Sequence, residues 1–133
     1  MRKLILAGMA SVLLLLLVAC SGTSKVEHFP VQVERASVVM AARLEGTLGV
    51  RDGYLAVNDQ IVVLWPYGYT LDMNGAVPRV LDENGREVAR YGERIVLGGG
   101  HIPTWWAEEK TGKDLPDWAD ETCWLTGTIV PSK

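Results

Sequence analysis

The sequence predicts an all-β domain: a small, OB-like antiparallel barrel or a compact sandwich of six to seven short strands, with a long tryptophan-rich loop. Apolar and polar residues alternate along several short segments, as in half-buried strands. Asp-Gly and Asn-Gly pairs separate these segments, and turns recur about every ten residues, a spacing typical of barrels and sandwiches. A folded part of about 95 residues favours the small barrel over a large sandwich.

The N-terminus has the pattern of a secretory signal peptide. Arg2 and Lys3 precede an apolar run over residues 4–18. This run is short for a membrane-spanning helix, which needs about 20 residues. A positive start, a short apolar run and small residues after it predict a signal peptide over residues 1–19.

The apolar run ends in Leu17-Val18-Ala19-Cys20, followed by Ser21. This segment resembles the lipobox of bacterial lipoproteins. The resemblance implies cleavage before Cys20, a diacylglyceryl thioether and a fatty acid such as palmitate on Cys20, and a place in the cell envelope facing the periplasm or the exterior. Ser21, rather than an aspartate, follows the cysteine. This pattern resembles that of lipoproteins sorted to the outer membrane. Two or three acyl chains anchor firmly, because each buried methylene contributes about 0.8 kcal/mol. The alternative is a plain signal peptide or an uncleaved anchor.

Residues 20–133 carry 11 basic and 16 acidic side chains, a formal charge of −5. A nucleic-acid-binding protein needs clustered basic residues to displace counterions. The charge therefore argues against a nucleic-acid partner, and no motif suggests a cofactor.

The chain after the signal peptide divides into two parts. Residues 20–36 begin with Cys20, which the lipobox resemblance implies is lipidated. Their small polar residues and Pro30 predict a flexible tether. Residues 37–133 form the predicted barrel domain. Residues 37–43 fit either a strand or a short helix, and the strong β pattern that follows favours a strand.

The clearest element is a hairpin around Asp52-Gly53, a pair suited to a type I′ turn. Residues 58–59 form the next turn, residues 61–65 form a continuous apolar strand, and Pro66 ends that strand. The expected partners across the first hairpin are Leu48 with Val57 and Val50 with Leu55.

A second hairpin is predicted around Asn84-Gly85, between residues 79–82 and 86–90, with Leu81 opposite Val88. Residues 94–97 and 123–130 are further strands. Gly98-Gly99-Gly100 interrupts the pattern, and a bulge or bend is favoured over an anion-binding loop.

These segments also carry a weak family resemblance. They contain Gly46-Thr47-Leu48, Asp52-Gly53-Tyr54-Leu55, Leu64-Trp65-Pro66-Tyr67-Gly68, Val80-Leu81-Asp82 with Gly85, and Leu97-Gly98-Gly99-Gly100. Together they resemble a small all-β domain of bacterial secreted proteins and lipoproteins, over roughly residues 44–130. The resemblance implies no activity, ligand or catalytic residue.

Four of the five tryptophans lie between residues 105 and 124, and a short helix is expected over residues 104–110. Exposed aromatic side chains bind sugar rings and partner proteins. The alternative is a tryptophan-rich core that seals one end of the barrel. The predicted function is a non-enzymatic module that binds a cell-wall glycan or an envelope protein. The candidate ligand contacts are Trp105, Trp106, Trp65 and Tyr67.

The alternative function is a small enzyme or metal site. It would use His101 with Asp114, Asp117 or Asp120. Their spacing matches no zinc or EF-hand pattern. Cys123 is expected to be a buried hydrophobic residue, with a reactive thiol as the alternative.

Overall fold

The structure is a computed structural model, and it describes residues 25–36, 40–119 and 123–130. The signal peptide, Cys20, Asp120 and residues 37–39 lie outside the described residues. The described part is mostly β, as predicted. Its elements are β1 (Ala42–Arg51), β2 (Tyr54–Val57), β3 (Ile61–Leu64), β4 (Thr70–Asp72), β5 (Arg79–Leu81), β6 (Glu87–Arg90), β7 (Arg94–Ile102), α1 (Thr104–Thr111), a 3₁₀ turn (Asp117–Ala119) and β8 (Cys123–Val130).

Two sheets make up the domain. In the larger sheet β1, β2, β3, β8 and β7 are hydrogen-bonded in that order, and β7 pairs again with β1, so the five strands form a closed ring. Four of its five pairings are antiparallel, whereas β3 and β8 run parallel. The smaller sheet has the order β4-β5-β6. The described residues contain eight strands, one more than the six to seven that were predicted.

The first hairpin is confirmed in its turn and its register. Asp52 and Gly53 have φ of 49° and 82°, as a turn with two left-handed residues requires. Residues 58 and 59 also have positive φ and join β2 to β3. The predicted partners face each other: Leu48 with Val57 and Val50 with Leu55.

The second hairpin forms, but its predicted register is wrong next to the turn. Leu81 pairs with Glu87 rather than Val88, and the register shifts between Val80 and Leu81. The Asp82 carboxylate explains the difference, because it accepts hydrogen bonds from the backbone N–H groups of residues 84 and 86. These bonds close a longer loop than a two-residue turn.

The three consecutive glycines do not end a strand. β7 continues through them to Ile102, and the ladder to β8 shifts between Gly98 and Gly99. Gly99 has φ of 150°, and a Cβ atom there would lie 1.9 Å from the carbonyl oxygen of Leu125. The bulge interpretation is therefore confirmed, and glycine is needed where β7 meets the backbone of β8.

Residues 25–36, here called the N-terminal strap, lie against the ring. This corrects the prediction of a flexible tether over that range. Val26, Pro30 and Gln32 are buried. The strap forms isolated parallel bridges from His28 to Tyr54 and from Val31 to Trp65. Buried side chains and backbone hydrogen bonds fix the strap in place.

Two hydrophobic clusters hold the ring and its neighbours together. One lies between the ring and the smaller sheet, and the other lies under α1. The first contains Leu48, Val57, Val63, Trp65, Val80 and Leu97, and the second contains Tyr54, Val62, Leu64, Ile102, Ala107 and Cys123.

The smaller sheet carries an ion pair with a testable effect on acid stability. The Asp72 carboxylate accepts a hydrogen bond from the backbone N–H of Asn74 and pairs with Arg79, and these contacts hold the pKa of Asp72 below its ordinary value of 3.8. A pKa lowered by folding stabilises the folded state above the ordinary pKa, and this stabilisation is lost as the pH falls through the folded value. We expect Asp72→Asn to lower Tm at neutral pH and to reduce the loss of Tm on acidification.

Thermal unfolding between about pH 2 and pH 7 measures this effect. Glu109→Gln, which neutralises an exposed carboxylate on α1, is the matched control. Equal dependence of Tm on pH in the wild type and Asp72→Asn would contradict the expectation.

Candidate functional site

The structure separates the four aromatic residues that the sequence proposed as ligand contacts. Trp65 is the clear correction, because its side chain is fully buried (0% exposed). It follows β3 and stacks on Phe29 of the strap, with 5.7 Å between ring centroids. Trp65 therefore belongs to the core and cannot contact a ligand in this state.

The two adjacent tryptophans of α1 have different surroundings. Trp105 is 69% exposed, whereas Trp106 is half-buried against the cluster under the helix. Neighbouring positions on a helix point about 100° apart, so one helix cannot present both rings to the same surface. The Lys110 ammonium lies 5.4 Å from the Trp106 ring centroid, a cation–π contact.

Tyr67 lines a groove on the surface of the domain. This feature, here called the Tyr67 groove, has a volume of about 380 Å³. It lies between the turn that follows Trp65, the strap and β8. The lining side chains that matter below are Gln32, Arg35, Tyr67, Tyr69, Glu83 and Thr126.

The groove exists because β3 is shorter than β8. β3 pairs with residues 123–125 of β8, and the later residues of β8 pair with β7 alone. Gln32 of the strap stands beside the first of these later residues, where its side-chain amide donates a 3.0 Å hydrogen bond to the backbone oxygen of Thr126. A side-chain amide thus takes the place of a neighbouring strand.

Thr126 supplies the most informative polar atom of the groove. Its side chain is 1% exposed, and its hydroxyl has no hydrogen-bond partner in the described part of the chain. Leaving a buried hydroxyl without a partner costs about 1–3 kcal/mol. A hydroxyl both donates and accepts hydrogen bonds. This hydroxyl is enclosed in the present conformation, so a ligand reaches it only if the neighbouring side chains move.

One wall of the groove is an ion pair beside an aromatic ring. The Arg35 guanidinium donates hydrogen bonds of 2.8 and 2.5 Å to the two carboxylate oxygens of Glu83. The same guanidinium lies 5.3 Å from the Tyr67 ring centroid. Burial, reinforced by the Asp82 and Glu83 carboxylates, raises the pKa of Tyr69, so its phenol remains a neutral hydrogen-bond donor at neutral pH.

A second groove lies on the other side of the strap. This feature, the Trp106 groove, has a volume of about 180 Å³ and is lined by Met40, Trp106 and Lys110 together with strap residues. Both grooves share Gln32 and Arg35. Tyr67 and Trp106 therefore flank the same stretch of strap, and Trp105 lines neither groove.

The residues of the alternative enzyme or metal site are placed separately. His101 is exposed on β7 and meets Trp124 edge-to-face, with 5.0 Å between ring centroids. Asp114 lies near Tyr54, whose hydroxyl is 3.5 Å from the Asp114 backbone oxygen. Asp117 is exposed on the 3₁₀ turn. The described residues contain no group of three side chains placed to hold a metal ion.

The expectation for Cys123 is confirmed. Its side chain is fully buried, and its sulfur lies 3.3 Å from the Ala119 backbone oxygen. The thiol is therefore part of the cluster under α1.

None of the helices in the described ranges is long and apolar enough to span a membrane.

The sequence does not identify three of the groove residues, namely Gln32, Arg35 and Thr126. Gln32 and Arg35 belonged to the predicted tether, and Thr126 is one of several alternating residues of the last strand. Their placement depends on where the strap crosses the ring.

Comparison with known proteins adds no further constraint, since no family model, no curated protein and no solved structure matches the chain.

Proposed function

We propose that this protein is a non-enzymatic binding module of the bacterial cell envelope, anchored through a lipid on Cys20, and that the Tyr67 groove holds a cell-wall glycan. The observation that carries the proposal is the groove itself. It combines a partly exposed tyrosine with a buried threonine hydroxyl that has no partner within the described structure. Aromatic surface and a few fixed polar groups are the usual composition of a small-ligand site.

The strand order supports a small OB-like barrel as the architecture. In such five-stranded barrels the face of the second and third strands is the usual ligand face. Here the strap crosses the ends of those strands, through His28 at Tyr54 and Val31 at Trp65. The strap therefore lies across that end of β2 and β3, and the Tyr67 groove lies beside β8.

The side chains of the groove fit the chemistry of a sugar. A sugar ring has apolar C–H faces that pack on aromatic rings, and its hydroxyls both donate and accept hydrogen bonds. Tyr67 is 43% exposed, and the Tyr69 phenol supplies a polar contact. The Thr126 hydroxyl joins these contacts when the side chains that enclose it move. The exposed Arg35–Glu83 pair places two charged groups at the same wall.

The lipid anchor is tested separately from ligand binding. We expect metabolic labelling with a fatty-acid probe to mark the wild-type chain and to be lost in Cys20→Ser, because the thioether needs the cysteine sulfur. Labelling that persists in Cys20→Ser would contradict the anchor and leave the groove proposal unaffected.

The glycan is tested by co-sedimentation of the full chain, purified in mild detergent, with cell-wall sacculi. We expect saturable binding that is lost in Tyr67→Ala and weakened about tenfold or more in Thr126→Val, since one lost hydrogen bond in a buried site is worth about 1.4 kcal/mol or more. Thr126→Val keeps the shape of the side chain and removes a buried hydroxyl without a partner in the described structure. We therefore expect its Tm to be equal to or above that of the wild type.

Met73→Ala is the matched control for Tyr67→Ala, because both side chains are 43% exposed and Met73 lines neither groove. A Trp105→Ala/Trp106→Ala variant measures the contribution of α1. If the wild type does not sediment with sacculi, the glycan is excluded as the ligand. Cross-linking in intact cells then tests for an envelope protein as the partner.

A further inference from the structure

The start of the strap is fixed to one end of the ring. Val26 is buried, and the backbone N–H groups of Glu27 and His28 both donate to the Gly53 carbonyl oxygen, at 2.9 and 3.0 Å. His28 also stacks on Tyr54, with 4.5 Å between ring centroids. The chain is therefore attached to the β1–β2 turn from residue 26 onward.

The distance along the chain from the proposed anchor to this point is short. Six residue steps separate Cys20 from Val26. A fully extended chain spans at most about 3.5 Å per residue. The Cα atom of Val26 therefore lies within about 21 Å of the Cα atom of the lipidated Cys20. A lipid on Cys20 thus keeps the β1–β2 end of the ring near the bilayer surface.

This end contains an open cavity of about 360 Å³, here called the Lys113 cavity. The strap forms one wall through Glu27 and His28, and the loop after α1 forms another through Lys113 and Asp114. Lys113 and Asp114 are exposed. The cavity therefore offers an ammonium group and carboxylates at the end of the ring to which the strap is fixed.

We infer that the β1–β2 end of the ring, with the Lys113 cavity, is the surface that rests on the lipid headgroups of the membrane. The inference depends on the proposed anchor at Cys20. Two observations carry it: the short chain between Cys20 and Val26, and the mixed charge around the cavity. A zwitterionic headgroup layer presents phosphates that pair with Lys113 and ammonium groups that pair with Glu27 and Asp114. The far end of β1, nine residues from the turn, points away from the bilayer.

The test measures which end of the lipidated full chain is near the lipid. Arg51→Cys and Arg43→Cys variants are labelled with the same fluorophore and reconstituted into phosphatidylethanolamine vesicles that contain headgroup-nitroxide lipid. Arg51 is exposed beside the β1–β2 turn, and Lys113 is left unchanged. Arg43 is exposed on the same ring, about 26 Å from Arg51 along β1 at about 3.3 Å per residue. Cys123 is buried and does not compete for the label.

We expect strong loss of emission from the label at residue 51 and little loss from the label at residue 43. Equal quenching at both positions, or stronger quenching at residue 43, would overturn the inference. Flotation of the vesicles measures the anchor independently. A chain that does not float therefore contradicts the anchor at Cys20, whereas a chain that floats with the wrong quenching pattern contradicts the orientation alone.

Discussion

Gly99→Ala is expected to destabilise the domain by about 3 kcal/mol or more, through the combined cost of backbone strain and overpacking. Two features of the position cause this. The backbone has φ of 150°, and the added Cβ atom would lie 1.9 Å from the Leu125 carbonyl oxygen. The clash is with backbone, so no side-chain rotation relieves it. The β7–β8 pairing, which closes the ring, would have to separate.

Chemical denaturation of Gly99→Ala measures the free energy of unfolding, with Gly127→Ala as the matched control. Gly127 lies on β8 close to the same bulge, and a Cβ atom there meets nothing within 4 Å. We expect the control to change stability by less than about 1 kcal/mol. Similar stability of the two variants would show that the ladder does not depend on glycine at residue 99.

Trp65→Ala is expected to destabilise the domain by about 3–5 kcal/mol, the usual cost of removing a buried tryptophan from a core. Trp65 is fully buried, and its backbone exchanges hydrogen bonds with the strap at Pro30 and Gln32. Its loss would therefore leave a large cavity beneath the strap. We also expect the strap to detach from the ring in this variant. The backbone amide of residue 32 would then exchange its hydrogen faster than in the wild type.

Trp105→Ala provides the contrast for Trp65→Ala. Its side chain is 69% exposed, so we expect a change within about 0.5 kcal/mol. Thermal unfolding of the two variants separates the core tryptophan from the surface tryptophan. A small effect of Trp65→Ala would contradict the placement of this residue in the core.

The sequence predicts local elements well where turn chemistry and hydrophobic alternation agree. Asp52-Gly53 forces a two-residue turn, and the alternation of Leu48 and Val50 then leaves a single register with a buried face. The second hairpin shows the limit. Its Asn84-Gly85 turn is correctly located, but the Asp82 side chain bonds the backbone and lengthens the loop, which alternation does not reveal.

The candidate site was harder to predict, because it depends on contacts between distant segments. The aromatic segment over residues 65–69 predicts either an extension of the ligand face, with a contact at Tyr67, or a packed turn. Gln32 and Thr126 are 94 positions apart, and they meet because the strap crosses beside β8. The same aromatic segment predicts a ligand contact at Trp65. The parallel bridge to Val31 places it beneath the strap instead.

The central claim is that the Tyr67 groove binds a wall glycan. The most direct test is a ¹H–¹⁵N NMR titration of the full chain in detergent micelles with soluble, peptide-free glycan fragments of the cell wall. We expect saturable shifts at Tyr67, Thr126 and Gly127, which line the groove, and none at Lys113, which lines a separate cavity. Unchanged groove signals at saturating glycan, or shifts confined to residues 113–115, would contradict it.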